Sequence, residues 1–198
     1  MLLNRLEKAL MNNPVRSAFQ RHLEAPQLLR LGGPIPGGLA LEVGCGRGVG
    51  IELILECFGA ERVEAFDLDP HMVTLARRRL ANRGDAVRVC EGDASAIEAE
   101  DARYDAVFDF GILHHVPRWR DAIGEIHRVL KPGGRFFAEE VSERALENPV
   151  IRRLLAHPRE DRFDFEEFCG ELTARDFSLC GAKAVLGLGG FVVAAKSA

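Results

Sequence analysis

From Leu39 onward the chain repeats one pattern: a short apolar run, a turn, then apolar positions at helical spacing. The runs predict strands at Leu39–Val43, Arg62–Phe66, Ala86–Cys90, Tyr104–Asp109 and Arg135–Val141. Helical spacing over 49–58, 70–82 and 119–130 fills the gaps between several of them. Asp69 stands where the second of these helices needs an N-cap, and Pro70 suits its first position. Lys131-Pro132-Gly133-Gly134 reads as a turn into the fifth strand. Strands and helices in alternation predict a mostly parallel sheet with helices on both faces.

After Val141 the rhythm changes. Asn148-Pro149 opens a predicted short helix to about Ala156. Asp164 with Glu167 three positions on forms a capping-box pattern for a helix to about Arg175. Two strands, near 178–185 and 190–196, close the chain. The predicted fold is therefore α/β: a Rossmann-like doubly wound sheet ending in an antiparallel pair. Ahead of it, Leu2, Leu3, Leu6, Leu10 and Met11 lie at helical spacing, and a second helical stretch from about 15 to 31 ends at Gly32-Gly33-Pro34. The linker through Gly38 then divides the chain into a helical cover of the substrate pocket, residues 1–38, and a main domain, 39–198.

Composition narrows the partners. Among 198 residues, 30 Asp and Glu outweigh 26 Lys and Arg, giving a net charge of −4, so no nucleic-acid partner is expected. The 5 cysteines (Cys45, Cys57, Cys90, Cys169, Cys180) show no CxxC spacing and read as reduced thiols of a cytoplasmic protein, with no metal framework. No apolar run reaches the roughly 20 residues needed to span a bilayer. The N-terminus lacks the pattern of a signal peptide, although its leucine-rich helix leaves weak membrane contact open.

The chemistry starts with LEVGCGRGVG, Leu41–Gly50. Ligands of an open parallel sheet bind beyond the C-terminal ends of its strands, where glycines admit a close approach. The third glycine of a dinucleotide fingerprint would fall on Val49 or Ile51, so that spacing fails. Glu42, just before the glycines, suits a ligand with a cationic group. Asp67 ends the second strand, where a carboxylate can accept both hydroxyls of a ribose. Asp93 follows the third strand, where it can accept from an exocyclic adenine amine while the Ala94 amide donates to the ring. Together the three acids describe an adenosine carrying a positive charge.

On LEVGCGRG, Asp67, GDAS, YDAVFDFGILHHV and RVLKPGG, spanning about Gly37–Val141, the chain resembles the class I S-adenosylmethionine-dependent methyltransferases. Within them it is similar to the small-molecule group that includes the ubiquinone and menaquinone C-methyltransferases. The resemblance implies strand order 3-2-1-4-5-7-6 and S-adenosylmethionine as cofactor. Residue by residue it implies that Glu42 and the backbone of Gly44, Cys45 and Gly46 hold the methionine moiety. Asp67 would take the ribose, with Leu68 and Met72 beside the adenosine. Asp93 and Ala94 would take the adenine, and Phe110 would lie near the methionine end. Glu42 replaces the family's commoner Asp, and Arg47 stands where a small residue is usual.

The acceptor side is less defined. His114 is the candidate base, with His115 expected to pack structurally. Of Glu139 and Glu140 only one can face the pocket, and Glu140 is preferred. His22 in the cover is a weaker candidate. The charged insert of about 142–165 reads either as a solvated face with core aromatics or as a lid. The expected reaction is methyl transfer to a small molecule. Methylation of protein or RNA, or cofactor binding without turnover, are the alternatives.

Overall fold

A computed structural model describes residues 13–142 and 162–197. The predicted helices at 2–11 and 148–156, and most of the insert, lie outside these residues. Seven strands form one sheet: β1 (Leu39–Val43), β2 (Arg62–Asp67), β3 (Val87–Glu91), β4 (Tyr104–Phe110), β5 (Leu130–Val141), β6 (Phe177–Ala184) and β7 (Gly189–Lys196). Their order is β3-β2-β1-β4-β5-β7-β6, as the resemblance implied. β1 to β5 run parallel, and β7 joins β5 and β6 antiparallel.

The helices are α1 (Pro14–Phe19), α2 (Ala25–Gly32), α3 (Val49–Glu56), α4 (Pro70–Arg79), α5 (Trp119–Val129) and α6 (Phe165–Ala174). The predicted helix over 15–31 is interrupted by a wider turn at Gln20–Glu24. Pro26 explains it: proline has no N–H to offer the carbonyl one turn back, and the Ala25 N–H bonds Gln20 O instead. Caps fall where the sequence placed them. Asp69 accepts from His71 N at 2.9 Å, and Asp164 from Glu167 N at 2.8 Å.

Each face of the sheet buries its own apolar layer. Ala25, Leu28, Ile51 and Ile54 pack with Phe58, Phe108 and Phe137 on one side. Trp119, Ile123, Phe163 and Phe168 pack with Val107 and Phe136 on the other. Phe163 and Phe168 stack at 4.9 Å and lie against Trp119, so these aromatics belong to the core. β4 sits centrally, buried on both faces, and its alternation sends Phe108 and Phe110 one way and Val107 and Asp109 the other.

One boundary differs from expectation. Lys131–Gly134 is not a separate turn but the irregular start of a longer β5, whose pairing with β4 jumps from Tyr104–Leu130 to Ala106–Arg135. Lys131 Nζ, 2.7 Å from Asp105 Oδ1, fastens the extra residues to β4.

Candidate active site

The loop after β1 is held from both ends. Cys45 N donates to Phe66 O at 2.9 Å, and Gly48 N to Cys45 O at 2.8 Å. Gly44 has φ +67, and a Cβ there would stand 2.7 Å from Ile112, so a side chain is excluded by both backbone and space. The Cys45 side chain is buried in the α3 face of the core, and burial pushes its thiol well above the usual range. It is a neutral filler there, and its amide is engaged by the protein.

Asp67 ties two loops together. One carboxylate oxygen accepts from Gly46 N at 2.8 Å and the other from Asp69 N at 2.9 Å. Asp93 accepts from the Ser95 amide at 2.8 Å and hydroxyl at 2.7 Å, and the hydroxyl holds its pKa below the usual range. Between these acids lies a cavity of about 300 Å³ that Gly44, Leu68 and Ala94 also line. That volume is at the lower end of small-ligand pockets and matches a nucleoside rather than a larger group.

The far wall was not read from the sequence. It consists of Ile112, His115, Val116 and Arg118, and Arg118 donates to Ser95 Oγ at 3.0 Å. These follow β4, so they reach the same end of the sheet as the loops of β1 to β3. His115, expected only to pack, is both buried and part of this wall. Met72 is buried in α4 and does not line this cavity. His22 is exposed, and Arg47 is exposed at the tip of the glycine loop.

Glu42 and Phe110 lie behind the loop, toward α3. A Cβ on Gly50 would overlap the Glu42 carboxylate and stand 2.7 Å from the Phe110 ring. Gly50→Ala is therefore expected to cost about 1–3 kcal/mol of overpacking. Denaturant unfolding reads the stability, and an unchanged value would contradict this packing.

The electrostatics of Glu42 are unusual. It is 2 % exposed, Ile51 N donates to it, and its Oε2 has no hydrogen-bond partner. Burial first, then the charges of Asp67 and Asp109, push its pKa well up. A buried carboxylate among other acids favours a cation.

The other candidate residues gather at the turn after β4. Gly111 adopts φ +80 and leads into a single helical turn, Leu113–His115. His114 Nδ1 lies 2.6 Å from Glu140 Oε2, and Leu113 N donates to Glu140 Oε1 at 2.6 Å. Glu139 and Glu140 leave β5 on opposite faces, as alternation requires. Glu140 meets His114, while Glu139 meets Arg16 of α1 at 3.1 Å. Arg16 also pairs with the buried Glu24, so this cluster fastens the N-terminal helices to the strand ends. Glu24 is pushed up to about 8, first by burial and then by Glu139. Among the described residues no cluster of His, Cys, Asp or Glu is arranged to hold a metal.

A family profile described as "methyltransferase domain" matches residues 40–134, covering the glycine loop, the three acids and the turn after β4. The chain is 37 % identical over 123 residues to a ubiquinone/menaquinone biosynthesis C-methyltransferase UbiE of Brucella anthropi, covering 60 % of this chain and 46 % of that protein. It is 32 % identical over 122 residues to a fatty-acid O-methyltransferase of Mycolicibacterium smegmatis, covering 62 % and 43 %. The matched stretches thus cover less than half the length of these relatives. A methyltransferase of Aquifex aeolicus, described as SAM-dependent, superposes with a TM-score of 0.74 at 19 % identity, covering 96 % of each chain. That last likeness speaks for the fold.

Proposed function

We propose that this protein binds S-adenosylmethionine and transfers its methyl group to a small-molecule acceptor. The observation that carries the reading is the buried Glu42 oxygen with no partner, beside a nucleoside-sized cavity whose rim holds Asp67 and Asp93. The residues fit the cofactor. Glu42 meets its ammonium or sulfonium charge, Asp67 accepts from the ribose hydroxyls, and Asp93 with the Ala94 amide meets the adenine. Leu68 and Ile112 sandwich the base, and Phe110 backs the methionine end. The cofactor supplies an activated methyl; the protein's part is to align the acceptor opposite the sulfur and exclude water. His114 is the proposed base, oriented by Glu140. Of the proposed cover, residues 1–38, the described part from Asn13 lies against the strand ends through the Arg16 contact to Glu139. The five cysteines, all unpaired, support a reducing compartment, the cytoplasm. No described helix is long and apolar enough to cross a membrane.

Methyl-labelled S-adenosylmethionine offered with metabolite, protein and RNA fractions tests the acceptor class. Label in the metabolite fraction alone is expected. Label in protein or RNA contradicts the small-molecule assignment, and binding without any incorporation contradicts turnover.

Cofactor binding is expected to release a proton. Glu42 holds its proton well above the usual carboxylate range in the free protein. A bound cation favours the ionised form, so the pKa falls and the proton leaves. Affinity then rises with pH until Glu42 ionises in the free protein, and levels off above that. Calorimetry in two buffers of different ionisation enthalpy counts the protons, and an affinity independent of pH would contradict the pairing.

A further inference from the structure

Asp109 belongs to none of the sequence-predicted positions, yet it is among the most enclosed acids of the chain, at 0 % exposure. It stands on β4 opposite Ala138 of β5, on the face toward which Glu140 also points. Ile112 N donates to Asp109 Oδ1 at 2.8 Å, which pins the turn that carries His114. Asp109 Oδ2 meets no N–H or hydroxyl donor. The consecutive amides of Ile112 and Leu113 go one to Asp109 and the next to Glu140, which brings the two buried carboxyl groups together. Two buried carboxyl groups make such a contact only with a proton between them.

The partners decide which acid keeps the proton. Glu140 receives the Leu113 amide at 2.6 Å and the Val141 amide at 3.2 Å, and its Oε2 lies 2.6 Å from His114 Nδ1. Asp109 receives one amide. Donors stabilise a carboxylate, so Glu140 carries the charge and Asp109 the proton. Burial raises both acids. The Glu140 charge raises Asp109 further, while the bonds from Asp109, Leu113 and Val141 pull Glu140 back to about 7. The other charged or titratable groups around the pair are Glu139 next in the strand, Arg16 of α1 against Glu139, Glu42 of β1, and His115, whose ring lies 4.1 Å from that of His114.

We infer that Asp109 is a positioning residue: as a neutral acid it donates to Glu140, and Glu140 in turn fixes His114 with its proton on Nδ1. The inference rests on the proposed methyl transfer for its use, but not for its geometry. With Nδ1–H committed to Glu140, the basic lone pair of the ring is on Nε2. In the reaction His114 Nε2 takes the acceptor's proton while the acceptor's electron pair forms the bond to the methyl carbon. The C–S pair returns to sulfur, leaving a thioether, a methylated acceptor and an imidazolium held against the Glu140 carboxylate. Asp109 keeps its proton throughout. Such a base serves a weakly acidic O–H or C–H acceptor. It adds nothing for a carboxylate, which is already ionised at neutral pH and would face Glu139 and Glu140.

Nitrogen NMR of the full chain labelled at histidine reads the tautomer directly and needs no acceptor. His114 is expected as the Nδ1–H form, assigned by its loss in His114→Gln. Asp109→Asn offers an amide N–H to Glu140 as the neutral acid does, so it should preserve that form. It should also remove one protonated-carboxyl band from the infrared spectrum at neutral pH. Asp109→Leu should shift the tautomer balance. Glu140→Gln should move His114 toward Nε2–H and lower turnover of a hydroquinone probe by up to about 10⁴-fold, as a wrong-tautomer base does. The KM for S-adenosylmethionine should stay unchanged, and activity should recover at high pH, where the probe ionises by itself. An Nε2–H His114 in the wild type, or an infrared spectrum unchanged by Asp109→Asn, overturns the inference. If methyl transfer itself fails while the tautomer and the band are as described, the functional proposal falls and this geometry stands.

Discussion

Asp67→Ala is expected to weaken S-adenosylhomocysteine binding by about 10- to 150-fold while leaving the protein folded. Charge-assisted hydrogen bonds contribute roughly 1.5–3 kcal/mol, and each 1.36 kcal/mol is a factor of ten. Two losses act in the same direction. The ribose would lose its acceptor, and the amides of Gly46 and Asp69 would lose the carboxylate that now holds both loops at the cavity rim. The fold survives because Asp67 is only half-buried and both amides can turn to water. Calorimetric titration with S-adenosylhomocysteine reads the affinity, and a thermal melt of the free variant reads the fold. Wild-type affinity would overturn the ribose assignment.

The largest expected loss of stability belongs to Phe108→Ala. Phe108 is fully buried at the centre of the sheet. Its ring stacks on Phe137 at 4.6 Å, meets Phe58 edge-on at 4.8 Å and lies 6.0 Å from Phe110. Truncating such a ring costs about 3–5 kcal/mol, part transfer and part cavity. For a domain near this size that lowers the melting temperature by about 6–20 °C, at 2–4 °C per kcal/mol. Phe110 and Glu42 share this layer, so the damage reaches the cofactor side as well. Leu186→Ala, 90 % exposed at the turn between β6 and β7, serves as the control and should change stability by less than about 0.5 kcal/mol. A Phe108→Ala melt within 2 °C or so of wild type would contradict the packing.

The acid-rich site also sets how the free protein responds to pH. Glu24, Glu42, Asp109 and Glu140 all have pKa values raised by burial. Acids with raised native pKa values bind more protons folded than unfolded, so their contribution to stability falls as pH rises from the ordinary carboxylate range through the native values. Glu56, Glu64 and Glu125 act in the opposite sense, and their contribution is lost only as pH falls below the ordinary range. The free protein is therefore expected to melt higher near pH 5.5 than near pH 8. A melting curve that rises across that interval would contradict the raised values.

Much of this was legible in the sequence because the signals were local. Five apolar runs, their helices and the caps at Asp69 and Asp164 depend on neighbours within a few residues. That Gly44, Asp67, Asp93 and Ala94 meet at one cavity was legible because strand ends of a parallel sheet converge on one edge. What escaped was pairing across the sheet. Nothing in the spacing shows that Asp109 and Glu140 meet, since that contact depends on the register of β4 against β5. His115 was read as packing on the resemblance, as one histidine of such a pair, yet it also lines the cavity between Asp67 and Asp93. The start of β5 was missed because glycines that mark a turn also allow a bulge. The wider turn at Gln20–Glu24 was hidden inside good helical spacing.

The central claim is tested most directly by thermal melting with S-adenosylmethionine, S-adenosylhomocysteine and NAD, each in excess. A ligand at about 100 times its dissociation constant stabilises the native state by roughly 2.7 kcal/mol. The account predicts a shift of about 5–11 °C with each of the two sulfur ligands and none with NAD. A flat response to the sulfur ligands, or a shift with NAD alone, would contradict it.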